Sequence, residues 1–378
     1  MNAMTNTSTT LKAAARQWAV RPDDERFTSL PAMLDFATSQ RANSRSLAIS
    51  SKRIEAQPVE DDNGRMTGLA IVGPGDAPAL PTHFAFGQVA ARAKAPAGYL
   101  RQLPSDLAAD CINAGLSARG YEDIGALLRL KDGQVPELGA MTGPNYGRVW
   151  NADIISALID RFGDGVTGDW TVPGINGRKL DAITKDNTLL FASDRDMFVF
   201  LADETNKITL PNRRDGRSGN LSRGFFVWNS EVGSTSLGIC TFLYDHVCGN
   251  RWVMGATGIE QIRIRHTASA PDKFVDEVAP AMIAYRESSA IGIEQHLRAA
   301  QAKRIGDEEE VQNFLTKKHR FSQSQAKAIN LAHIAEEGRP IESLWDAGTG
   351  ITAYAKGIKH QDERVAVERA AGRVLEAV

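Results

Sequence analysis

Between positions 188 and 265 the sequence carries short β-like runs at 188–192, 197–201, 225–228, 236–242 and 258–265, parted by clusters rich in Gly, Asn and Asp. Short apolar runs bounded by turn residues read as strands, and no helical spacing separates them here. The expected product is a meander-like, mostly antiparallel sheet, not an alternating βαβ unit. Around this stretch the spacing turns helical. Ile154, Ile155, Leu158 and Ile159 recur on one face of a helix predicted over 151–162. The stretch 82–116 reads as about three helices broken at Pro96 and Pro104. Beyond Pro271 the strands stop, and 275–304, 308–318, 322–337 and a last segment to 378 read as helix. Ser322 with Gln325 makes a capping box, and Gly338 a stop. A β-hairpin is expected from 47–56 and 67–72, with Asn63-Gly64 at its bend. The fold class is therefore α+β, a central sheet with flanking helices and a helical C-terminal third. The expected organisation is a flexible N-terminal arm with short helices over 1–44, an α+β core domain over 45–274 and a helical region over 275–378.

Composition removes several function classes. With 42% hydrophobic and 24% charged residues the chain is globular and not disordered. A formal charge of -2 argues against a protein that is basic overall, although a local basic patch is compatible with it. The three cysteines, Cys111, Cys240 and Cys248, are odd in number and widely spaced, which suits a reducing cytoplasm and not a secreted disulfide scaffold. The N-terminus lacks the apolar core of a signal peptide, and no apolar run approaches the ~18–20 residues of a membrane span. A cytoplasmic protein without a membrane partner is expected.

Among the motifs, Cys240, His246, Cys248 and His266 form the one Cys/His concentration. Cys240 lies about 20 Å along an extended strand from His246, too far for one ion. His246, Cys248 and His266 are left as weak metal candidates, and no metal is expected. Asp194 and Asp196 could hold Mg²⁺ with Glu231 for phosphodiester chemistry. The favoured reading of Ser193-Asp194-Arg195-Asp196 is a turn between two strands. Gly348-Thr349-Gly350 onward fits a dinucleotide fingerprint but lacks a preceding strand. Gln88 to Leu103 looks like a helix-turn-helix, with Lys94 where Gly usually stands in the turn. The most suggestive stretch, 205–273, holds nine basic against five acidic residues, with Phe225, Phe226, Trp228, Tyr244 and Trp252 interleaved. Arginines that neutralise phosphates beside rings that stack bases are the parts of a sequence-tolerant single-strand surface. The candidate residues are Arg213, Arg214, Arg217, Arg223, Trp228, Arg251, Trp252, Arg263 and Arg265.

The runs TLLFASDRDMFVFLADE, RGFFVWNSEVGSTSLGICTFLYDHVCGN and IRIRHT within 188–267 resemble the phage/plasmid-like protein family, domain of unknown function 932. GYLRQLPSDLAADCIN at 98–113 and GPNYGRVWNADII at 143–155 share the resemblance, which is expected to cover about 45–300 and to extend toward the helical end. It implies a mobile-element setting and transfers no catalytic residue. The leading expectation is a non-enzymatic protein that binds nucleic acid, single-stranded DNA above all, in replication, recombination or protection, as a homo-oligomer. A metal-dependent phosphodiesterase using Asp194, Asp196 and Glu231 with Mg²⁺ is the second reading, and a protein that binds a host factor the third.

Overall fold

The computed structural model describes residues 22–60, 66–73, 75, 77–130, 134–173, 182–211, 213, 216, 218–245, 251–252, 261–288, 291–358, 367, 370–375 and 377. Helix α1 (Leu30–Ala42) starts where the Ser29 hydroxyl accepts from the Ala32 amide, with Pro31 in the first turn, where its missing N–H removes no bond. There follow β1 (Ser44–Ser50), β2 (Glu55–Glu60), β3 (Met66–Val72), β4 (Leu80–Pro81), α2 (His83–Arg92), α3 (Ala97–Leu100), α4 (Ser105–Ser117), β5 (Asp123–Arg129) and β6 (Glu137–Thr142). The strands β1-β5-β6-β4 form one sheet in that order, and β2 pairs with β3. Helix α2 packs on β6 and α4 on the β2–β3 hairpin. Ile54, Ile71, Val89, Ile112, Ile124 and Leu138 fill the core between them.

The expected pairing is present with β2 as its first arm, and the Asn63-Gly64 bend lies outside the described residues. The residues Leu47 and Ile49 turn away to β5, opposite Ala126 and Ile124. Ser51 causes the division: its amide donates to the Glu122 carbonyl, and its hydroxyl accepts from the Glu122 amide. Strands β5 and β6 escape a pattern reading because they are buried nearly end to end and so show no polar alternation.

The second sheet follows α5 (Asn151–Phe162). It comprises β7 (Trp170–Thr171), β8 (Leu190–Ala192), β9 (Met197–Asp203), β10 (Ile208–Leu210), β11 (Gly219–Asn229), β12 (Leu237–Asp245), β13 (Arg251–Trp252) and β14 (Gln261–Ile264). The path is β13-β12-β11-β9-β7, with β10 on β11, β14 on β12 and β8 on β9, every pair antiparallel. Every residue of β9 is buried, so this sheet is covered on both faces.

The helical third contains α6 (Ala270–Lys273), a π turn at Phe274–Val278, α7 (Ala279–Glu287), α8 (Ile291–Ala302), α9 (Glu308–Asn313) with a π turn at Phe314–Lys318, α10 (Gln323–Glu337) and α11 (Leu344–Lys356). The Ser322–Gln325 capping box is formed, and Gly338 closes α10 in the left-handed conformation. Leu30 and Met33 of α1, Leu158 of α5, Phe226 of β11 and Leu297 of α8 belong to one core cluster that reaches Leu375. The fold is α+β, as the patterning predicts. Among the described residues no helix is long and apolar enough to cross a membrane.

Candidate functional site

Strand β11 ends in Asn229, and the chain then runs through Ser230-Glu231-Val232-Gly233-Ser234 before β12 begins. Each polar side chain at the start of this loop ties down another segment. Asn229 donates to the Val149 carbonyl and to Asn151 Oδ1, both at 2.8 Å. The Ser230 hydroxyl donates to the Arg195 carbonyl at 2.7 Å and accepts from the amides of Val232 and Ser234. Glu231 reaches the start of α5, which has no side-chain cap of its own, and Oε1 accepts from the Asn151 amide at 2.8 Å. A carboxylate there complements the positive end of the helix dipole. Gln88 of α2 closes the assembly by donating to the Val232 carbonyl while accepting from the Met141 amide.

Glu231 is the site's buried acid, with 3% of its surface exposed and Oε2 without a hydrogen-bond partner. Burial raises its pKa, opposed by the Asn151 amide and by the charges of Arg129, Arg148 and Arg41. The net direction is upward, so desolvation outweighs three arginines and a helix terminus.

Above this clasp lies a continuous strip of cations and rings. Arg41 sits over the Trp150 ring at 5.4 Å, Arg148 over Trp150 at 5.5 Å and over Tyr146 at 5.6 Å, and Tyr146 stacks on His266 with centroids 4.8 Å apart. Arg148 Nε donates to the Glu231 carbonyl, Nη1 donates to Ser46 Oγ, and the Tyr146 hydroxyl donates to the Ser230 carbonyl. Burial lowers the pKa of Arg148 and raises that of Tyr146. It also takes His266 down to about 4, so this imidazole is neutral at pH 7, with Nδ1 against the Gly147 carbonyl. Gly147 is required by close approach: a β-carbon there would lie 2.8 Å from the Thr267 carbonyl carbon. Arg41 is exposed, and Trp150, Arg148 and Tyr146 are half-buried. Arg265 is exposed next to His266, and it and burial lower the pKa of half-buried Arg263, whose Nε donates to Ser236.

The structure corrects much of the expected basic surface. Arg213 is buried against Glu337 of α10, with Nε to Oε1 at 3.0 Å, and lies over the Trp345 ring. Arg223 is buried against Asp203 and Ser288. Trp228, 1% exposed, is core and cannot stack a base. Arg223 and Trp228 lie on β11, which is covered on both faces, and Arg213, between β10 and β11, is held inside by Glu337. Arg214 and Arg217 lie outside the described residues, as do His246 and Cys248. Arg251 and Trp252 form β13, and their side chains lie outside the description. Of the expected set, Arg263 and Arg265 remain beside the strip.

Asp194 and Asp196 occupy the turn between β8 and β9, where Ala192 pairs with Met197. Asp196 is buried against Arg195 and Ser193, and Asp194 is exposed. Among the described residues no group of three or more His, Cys, Asp and Glu is placed to hold a metal ion, so Asp194, Asp196 and Glu231 do not assemble as a metal-binding triad. His266 is taken up by the Tyr146 stack. The dinucleotide-like glycines lie inside α11. Lys94 adopts a φ of 53°, the left-handed turn of the helix-turn-helix pattern, but the following α3 has four residues, too short to read a groove.

Tyr146, Arg148 and Trp150 were within reach of the sequence. Alternation at two-residue spacing in an extended segment puts all three on one face. No curated protein and no solved structure matches the chain. A family model does match, beginning at the Asp194 turn, taking in the 229–234 loop and His266, and running through the helical end. It starts later than the resemblance implied and takes in the helical end. Over residues 194–371 the chain matches the model of the family described as Domain of unknown function (DUF932).

Proposed function

We propose that this protein binds single-stranded nucleic acid, DNA in the first place, without cutting it, along the strip from Arg41 through Trp150, Arg148 and Tyr146 to His266. One observation carries the reading: guanidinium groups and rings follow one another in contact from exposed Arg41 through half-buried Trp150, Arg148 and Tyr146 to His266, with Arg263 and Arg265 alongside. Cation and ring surfaces in register suit a strand whose phosphates and bases alternate, and every base has a face to stack. Arg41, Arg148, Arg263 and Arg265 outnumber the neighbouring carboxylates Asp153 and Glu231, so the strip is locally basic on a chain of charge -2. A cytoplasmic setting on a mobile element, in replication, recombination or protection and as a homo-oligomer, belongs to the same proposal.

The test is fluorescence anisotropy with a labelled oligothymidylate of about 20 nucleotides over roughly 50–200 mM salt. Arg263→Gln/Arg265→Gln is expected to weaken binding and flatten the log–log salt slope by about 1.4, two phosphates' worth. Trp150→Ala is expected to cost about 1–3 kcal/mol of affinity. The labelled strand stays intact when Mg²⁺ is added. No binding at low salt, or the same slope in the double variant, refutes the proposal.

A further inference from the structure

A cleft of about 430 Å³ opens beside the β8–β9 turn. Its volume lies in the range of small-molecule sites. Among the described residues Asp24, Glu25, Glu137 and Asp194 line it, with Arg129 as the one cation and Phe36 as the ring. Arg129 is 5% exposed and only partly satisfied. Nη2 donates to the Asp194 carbonyl at 2.9 Å and Nη1 faces Glu137 Oε1 at 3.5 Å, while Nε has no acceptor. A buried guanidinium with an idle donor calls for a carboxylate or similar oxygen from outside the chain. Asp194 and Asp24 are both exposed on its wall and can receive a cation.

These demands meet in one class of molecule. We propose that the cleft binds a small zwitterion of the α-amino-acid type, with its carboxylate toward Arg129, its ammonium toward Asp24 and Asp194, and its side chain against Phe36. A plain anion would face the carboxylates, and a plain amine would leave Arg129 Nε without an acceptor. None of these side chains belongs to the nucleic-acid strip, so the outcome of the oligonucleotide assay does not bear on this site.

The experiment is isothermal titration calorimetry of the full chain with each of the twenty common α-amino acids to about 10 mM, a range typical of weak metabolite sites. For each binder, the amine lacking the carboxylate and the acid lacking the ammonium are titrated beside it. At least one amino acid is expected to saturate. Removal of either charged group is expected to weaken it tenfold or more, roughly the loss of one charge-assisted hydrogen bond. Asp194→Asn and Asp24→Asn, at exposed positions that leave the fold intact, are expected to weaken it similarly. Failure of all twenty to saturate, equal binding by the amine alone, or unchanged affinity in both variants overturns the assignment.

Discussion

On β12, Gly238 stands directly across from Trp228 of β11, and the indole lies over the glycine. A β-carbon at position 238 would fall 2.6 Å from Cε2 of that ring and closer still to Cζ2. Carbon atoms rest about 3.5–4.0 Å apart, so Gly238→Ala creates an overlap of about 1 Å or more. The ring has nowhere to retreat: it is 1% exposed and packs on Phe226 at 5.2 Å. Overpacking a closed core costs about 1–3 kcal/mol, and this geometry belongs at the upper end, about 3 kcal/mol. Trp228→Leu alone removes ring contacts and costs roughly 2–4 kcal/mol. In that background the overlap disappears, so adding Gly238→Ala should cost less than about 1 kcal/mol, a coupling of about 2 kcal/mol. Guanidinium denaturation followed by far-ultraviolet circular dichroism measures all four corners of the cycle. Strict additivity, or a Gly238→Ala variant as stable as the parent, refutes the packing argument. The same cycle separates a core indole from a base-stacking one, since Trp228→Leu is expected to leave oligonucleotide affinity unchanged wherever the protein is folded.

Two further outcomes follow from buried charge. Arg213→Ala strands the Glu337 carboxylate inside the protein and should cost about 3–5 kcal/mol, whereas Arg213→Met/Glu337→Leu should regain most of it, as read by chemical denaturation. His333 is wholly buried beside Asp346 and Thr349, and desolvation takes its pKa down to about 4. Between the ordinary histidine value near 6.5 and about 4 the unfolded chain binds a proton that the folded chain refuses, so stability falls as pH falls through that window. Urea midpoints at about pH 7, 5.5 and 4.5 should show the decline, and His333→Gln should reduce it by one histidine's share, His266 and His319 keeping theirs over the same window.

The elements that read well from sequence were those whose local chemistry decides their structure. Ser322, Gln325 and Gly338 mark α10 because caps act within a few residues, and Ile154, Ile155 and Leu158 mark α5 because one face is apolar. The Asp194–Asp196 turn was legible for the same reason. Strands β5 and β6 were not, since a strand covered on both faces carries no alternation. The basic surface misled for a related cause: Arg213, Arg223 and Trp228 are separated from their partners Glu337, Asp203 and Gly238 by stretches over which charge and ring counts say nothing of inward or outward aim. Asn229, Ser230 and Glu231 stand within a run that carries the family resemblance, but their role as a clasp depends on Asn151 and Arg195, which only the folded chain brings near.

Because the acceptor at the head of α5 comes from Glu231, eighty residues further along, that helix emerges from the ribosome before the group that completes its first turn has been synthesised. Until β11 has been translated and laid against β9, the Asn151 amide at the head of segment 151–162 lacks this acceptor. The order of manufacture and the order of assembly therefore differ here, and the acid that closes the helix also registers that the sheet behind it has formed.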